Sequence, residues 1–238
     1  MTTRRVHVGQ ASLQGGLQRY AKAFDLLEVK CDPAPPSPKH LKRLKGEAPE
    51  GFVFSLVVGK ALADLPAAEP DPKLVAATRD AAQALGARFL LVRTPASVTP
   101  SARSRARLAR LVAALAGAAE SVAWEPRGIW TDEEVLAVAE ELGVTPVRDL
   151  AEHEPPPGDV VYTRLIGLGR NLRIGSGAIE RVAERLEDAT LAFVVVEGQG
   201  AVAVAKALRG AEVADDDEDD GDEDGDFEDD DEGDEDEE

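Results

Sequence analysis

The sequence predicts a TIM-like (β/α)8 barrel, lean and with at least one reduced crossover helix. Three observations lead there. Eight short β-branched or apolar runs are spread along the chain. Stretches with apolar residues at helical spacing lie between them. Helix start and stop residues fall at the junctions. Strand–helix alternation implies parallel strands joined by helical crossovers, and eight such units close a barrel.

The runs occupy residues 5–9, 26–30, 52–58, 89–93, 122–125, 145–148, 160–165 and 191–197. After the first, Leu17, Tyr20, Ala21 and Phe24 follow an i, i+3, i+4, i+7 stripe and predict a helix. Leu108, Leu111, Val112 and Leu115 repeat the stripe after the fourth run. Ile179, Val182, Ala183 and Leu186 repeat it after the seventh. Ser101 and Thr131 are N-cap residues, and Glu134 completes a capping box with Thr131. Gly86 and Gly143 stand where helices should stop, each just before a strand. One crossover is short. Residues 150–159, which include Pro155, Pro156 and Pro157, separate the sixth and seventh runs and leave no room for a full helix. An open doubly wound sheet is the alternative, but Gly9 to Gly15 lacks the glycine fingerprint that such a sheet carries after its first strand.

Composition divides the chain. It has 238 residues and a formal net charge of -19. Residues 215–238 hold 13 Asp and 7 Glu, which leaves 26 acids against 27 bases in residues 1–214. Residues 1–214 are thus read as the barrel and 215–238 as a disordered acidic tail, whose charges repel and whose one aromatic is Phe227. A balanced body offers no global field for nucleic acid, and few aromatics are available for stacking on bases. The tail suits a basic protein partner. The first residues lack a signal-peptide core, no run is long enough to span a bilayer, and a cytoplasmic, reducing setting is expected. Cys31 is the single cysteine and is read as an inert thiol. His7, His40 and His153 share no metal-ligand spacing, so no metal or other cofactor is expected. Arg103, Arg105, Arg107 and Arg110 spread around their helix as a solvated face.

In such barrels ligands sit at the C-terminal ends of the strands. Those ends carry Glu28 and Lys30, Lys60, Arg93, Glu125 and Arg127, Arg148 and Asp149, Arg164, and Glu197. Glu28, Glu125 and Asp149 are candidate catalytic carboxylates, fit for proton transfer in a low-dielectric bowl. Lys60, Arg93, Arg127 and Arg164 are candidate ligand-binding cations for a small anionic or polyhydroxyl molecule, such as a sugar phosphate or nucleotide fragment. Gly169, Arg170, Gly175 and Ser176 are candidate phosphate-binding residues, because barrels often hold phosphate with the loops after strands seven and eight. The competing reading is a self-neutralised network on a non-catalytic scaffold whose tail recruits basic partners.

The ordered motifs resemble the YecE-like family, a domain of unknown function (number seventy-two). Val6 to Gly9 is similar to its opening strand, and Tyr20, Ala21, Phe24, Glu28 and Val29 to its second segment. Pro49, Phe52 and Phe54 followed by Lys60, then Leu85-Gly86 and Thr94-Pro95, continue the order. Glu125, Arg127 and Trp130, then Asp149, then Tyr162 to Leu165, complete it over about residues 4–210. The resemblance implies a TIM-like barrel and no established reaction. The chain departs from the family pattern at Gln10 to Gln14, Cys31 to Pro33, Arg93, Ile166-Gly167 and Glu197 to Gln199. It thus resembles a divergent member that keeps the charged set and lacks the aromatic and amide groups around it.

Overall fold

The fold is seen in a computed structural model that describes residues 5–167 and 172–210. Its strands are β1 (Arg5–Gln10), β2 (Leu26–Lys30), β3 (Val53–Val57), β4 (Phe89–Thr94), β5 (Ser121–Pro126), β6 (Thr145–Arg148), β7 (Val160–Ile166) and β8 (Leu191–Glu197). Its helices are α1 (Leu17–Tyr20), α2 (Pro38–Glu47), α3 (Lys60–Ala63), α4 (Pro72–Leu85), α5 (Ala102–Leu115), α6 (Asp132–Leu142), α7 (Ser176–Arg185) and α8 (Ala201–Arg209). The strands close into a barrel in chain order, and β1 pairs in parallel with β8. This is the (β/α)8 architecture the alternation predicts.

Period-two alternation splits each strand between two cores. Outward side chains such as Leu27, Phe54, Leu90, Trp124, Leu165 and Val194 pack with the helices. Inward side chains build the barrel interior, where Leu26, Val53, Phe89, Leu91, Ala123, Tyr162, Phe193 and Val195 meet. Aromatic rings fill the lower half: Phe89 lies 4.9 Å from Phe193 and 5.0 Å from Tyr162, centroid to centroid. His7 stacks on Phe193 at 5.2 Å, and its Nδ1 lies 2.9 Å from Asp25 Oδ2. Asp25 also accepts from the Val8 N–H and pairs with Arg209, which ties the base of β1 to the end of α8.

The caps behave as their residue types dictate. The Ser101 hydroxyl accepts from Ser104 N, Thr131 and Glu134 form the reciprocal capping box, and Gly86 and Gly143 end their helices at φ +65 and +63. The helix expected over Leu17 to Phe24 is shorter: α1 has four residues. Tyr20 explains the early stop. Its hydroxyl donates to Leu26 O at 2.6 Å and accepts from Gln10 N at 2.7 Å, so the chain must turn to begin β2 beside that ring. Phe24 is buried all the same. Of the arginines on α5, Arg105 and Arg110 pair with Glu134 and Glu69, and Arg107 donates to Leu65 O.

No helix separates β6 from β7. Hydrogen bonds hold that connection instead. Thr163 Oγ1 accepts from Leu150 N and donates to Arg148 O, and Arg185 of α7 donates to Leu150 O. A close backbone approach lies elsewhere, where Gly9 pairs with Leu26. A Cβ on Gly9 would lie 1.8 Å from the Leu26 carbonyl oxygen. Gly9→Ala must therefore push β1 from β2. It is expected to cost about 3 kcal/mol or more and to lower the melting temperature by roughly 6–12 °C, read by circular dichroism. An unchanged melting temperature would contradict the close approach.

Candidate functional site

The charged residues sit one pleat above the aromatic fill. Glu28 follows Leu26 by two positions, Arg93 follows Leu91, Glu125 follows Ala123, Arg164 follows Tyr162, and Glu197 follows Val195. All five inherit the inward direction. The barrel thus brings together Glu28, Arg93, Glu125 and Arg164 of the predicted residues, with Arg127 beside Glu125, and adds Glu197.

Arg164 is the hub, with a side chain only 1% exposed. Its Nε and Nη2 grip Glu28 as a fork at 2.9 and 3.1 Å. Its Nη1 donates to Glu125 Oε2 at 3.0 Å, and Nη2 lies 3.0 Å from Glu197 Oε2. Arg93 closes the ring by donating to Glu125 Oε2 at 2.6 Å and Glu197 Oε2 at 3.3 Å. Arg127 Nε stands 3.7 Å from Glu125 Oε1. Three arginines thus face three glutamates. Tyr162 links the network to the aromatic fill, for its hydroxyl donates to Glu28 Oε1 at 2.8 Å and lies 3.0 Å from Ser55 Oγ.

Each shift in acidity has a physical origin. Burial would lower the Arg164 guanidinium, but the charges of Glu28 and Glu125 outweigh it and hold it above its ordinary value. Burial would raise the Glu197 carboxyl, yet Arg164 and Arg93 keep it below the usual carboxylate range. Burial, helped by the Glu28 charge, pushes the Tyr162 phenol well up. Burial also raises Asp149, against hydrogen bonds from Ile166 N and Ala151 N. Cys31, which follows β2, is buried, and burial pushes its thiol up to about 12, with the Asp32 charge adding to it.

Above the network the barrel opens into two lobes that share Arg127. The larger, about 440 Å³, runs between Lys30, Asp32, Lys60, Asp64, Arg93 and Glu197. The smaller, about 140 Å³, lies at the ends of β5, β6 and β7. Lys60 lies at the start of α3, where its N–H donates to Asp32 Oδ1 at 2.9 Å. The ammonium groups of Lys30 and Lys60 form no ion pair among the described residues. Asp149 lines the smaller lobe, but each of its oxygens accepts a backbone N–H, from Ala151 and Ile166. Glu28, with a side chain 0% exposed, reaches neither lobe. Gly175 caps α7 and Ser176 opens it, and neither lines a lobe. Gly169 and Arg170 lie outside the described residues, as does the acidic segment 215–238.

Sequence reasoning put Glu197 at a strand end without counting it as a site residue. Its parity with Phe193 and Val195 carried the signal. Ser55 had no such signal, because its role depends on Tyr162 reaching across the closed barrel.

Two expectations follow from the network. Glu28→Gln would leave Arg164 and Tyr162 facing a group that cannot balance them, at a cost of about 3–5 kcal/mol in denaturant unfolding. A cost below about 1 kcal/mol would mean that the hub does not depend on this pair. For pH, Glu197 and Asp25 both sit low, Asp25 because His7, the Val8 N–H and Arg209 outweigh the effect of its burial. Each contributes stability that is present above the unfolded carboxyl value of ~4 and is lost as pH falls through the folded value. Asp149 sits high and acts in the opposite sense. Unfolding free energy should fall below about pH 5, and Glu197→Gln should flatten that slope.

A family model described as "Protein of unknown function DUF72" matches residues 8–223. No curated protein matches the chain. Among solved structures, a DUF72 family protein from Enterococcus faecalis V583 superposes with a TM-score of 0.71 at 15% identity, covering 88% of this chain and 98% of that one. A DUF72 family protein from Thermotoga maritima MSB8 gives 0.66 at 17% identity, covering 86% and 96%. An L-ribulose 3-epimerase gives 0.53 at 17% identity, covering 87% and 93%. At these identities the likeness concerns the fold.

Proposed function

The chain belongs to the DUF72 family, the family of YecE, and from that premise we propose that it binds a small anionic, polyhydroxylated molecule, of the sugar-phosphate class, at the mouth of the barrel. One observation carries the reading. A cavity of about 440 Å³, within the ~300–1,000 Å³ of small-molecule sites, lies over a balanced ion network and is edged by Lys30 and Lys60, whose ammonium groups form no ion pair among the described residues. The network forms its floor. Glu197, 41% exposed, offers an ionised acceptor for hydroxyl groups, and Arg93 and Arg127 offer donors.

The network favours binding over proton transfer. Glu125 Oε2 already accepts from Arg93 and Arg164, and Arg127 stands beside Oε1, so its oxygens are committed to cations of the protein. Glu28 is a positioning group for Arg164. Asp149 is raised by burial, which favours the protonated carboxyl. The L-ribulose 3-epimerase of like fold is named for a polyhydroxylated substrate, which agrees with the ligand class. The second reading, a scaffold whose acidic segment recruits basic proteins, draws support from the complete pairing of Arg164 and Glu28 inside the barrel.

Isothermal titration of the full chain separates the two. Ribose 5-phosphate and a non-phosphorylated sugar acid should give saturable binding, weakened about tenfold or more by Lys60→Ala. The absence of binding by both compounds at millimolar concentration would sink the site reading in favour of the scaffold.

A further inference from the structure

The smaller lobe contains arginine donors that the other described residues do not use. Arg127 enters its one ion pair through Nε, and its backbone N–H donates to Thr94 O. Its Nη1 and Nη2 make no hydrogen bond among the described residues. Arg148 uses Nη2 alone, toward Asp132 and His153. Its Nη1 and Nε have no partner there, and Nε is buried. His153 Nδ1 lies 3.1 Å from Asp132 Oδ2, so this aspartate holds the imidazole beside Arg148. The remaining polar lining is already committed. Arg164 spends all three nitrogens on glutamates, Glu125 lies among arginines, and Asp149 accepts two backbone N–H groups.

The geometry points to a discrete phosphate subsite in this lobe, between the ends of β5, β6 and β7, with Arg127 and Arg148 as the forks and His153 beside them. A guanidinium presents a rigid fork of donors that matches the oxygens of a phosphate. A volume of about 140 Å³ is too small for a whole sugar phosphate and suits its anionic group. Arg127 belongs to both lobes, so a phosphate held here leaves the hydroxylated remainder over Arg93 and Glu197, toward Lys60. The subsite deepens the proposed function and rests on it. Its place differs from the loops after strands seven and eight, where this architecture commonly holds phosphate.

The experiment titrates the full chain, as wild type, Arg127→Gln, Arg148→Gln and Lys60→Ala, with inorganic phosphate and with ribose 5-phosphate. Arg43→Gln, on the exposed face of α2, controls for loss of bulk positive charge. Both mouth arginine variants should weaken inorganic phosphate by about tenfold or more. Lys60→Ala should leave inorganic phosphate unchanged and weaken only the sugar phosphate. Arg148→Gln also removes the contact with Asp132, so melting temperatures accompany each titration. Arg127→Gln, half-exposed with one long ion pair, keeps the test standing if Arg148→Gln does not fold. If the sugar phosphate binds and Lys60→Ala weakens it while both arginine variants bind phosphate as wild type does, the subsite is wrong and the mouth reading survives. If inorganic phosphate depends on Lys60 instead, the anion sits in the larger lobe and the subsite is again wrong. If no compound binds, both fall.

Discussion

The structure turns on a guanidinium buried among three carboxylates. Arg164 cannot shed its proton, so a barrel that carries it inside must supply opposite charge at hydrogen-bond distance. Glu28 supplies two oxygens from β2, Glu125 one from β5 and Glu197 one from β8. Those strands lie around the barrel from β7, so the pairing is satisfied only when the barrel is closed. The network then sets everything above it. It sets the floor of the mouth, the ionised state of Glu197 and the place of Arg93. It also explains why the mouth can be rich in charge without a strong field of its own.

The eight strands were legible because period-two runs ended at residues with strong local preferences. Gly86, Ser101, Thr131 with Glu134, and Gly143 each act through their own backbone or a neighbour within three residues. The helix after β1 was less legible. Its apolar stripe is real, for Leu17, Tyr20 and Phe24 are buried. Yet the Tyr20 hydroxyl bonds to two strands that no local pattern could bring together. The site follows the same division. Parity alone directs Glu28, Arg93, Glu125 and Arg164 inward. Which acid meets which base depends on contacts up to 136 residues apart, and Lys60, on a connection rather than a strand, has no parity to read. The candidate phosphate residues Gly175 and Ser176 rested on their place after the seventh strand and on glycine content, which says where a chain can bend and not what it faces.

The family fold places this chain among barrels whose chemistry lies in their loops. The departures fall in those loops and at strand ends, and two of them, Arg93 and Glu197, enter the same ion network as the hub pair Glu28–Arg164. Closure and charge balance hold that pair in place, whatever stands at the rim above it.

The helix-free connection between β6 and β7 bears on the rim of the mouth. An amphipathic crossover must bury a stripe against the sheet and begin at a fixed place above its strand. A connection tied by Thr163, Asp149 and Arg185 carries no such requirement. The chain can therefore fold back over the strand ends at once, placing His153 within five residues of Arg148 and opening the small lobe beside them. Here the barrel has exchanged outer wall for inner rim. An economy in the scaffold has become additional lining for the mouth, and the chain's shortness at this point shapes the rim as well as saving length.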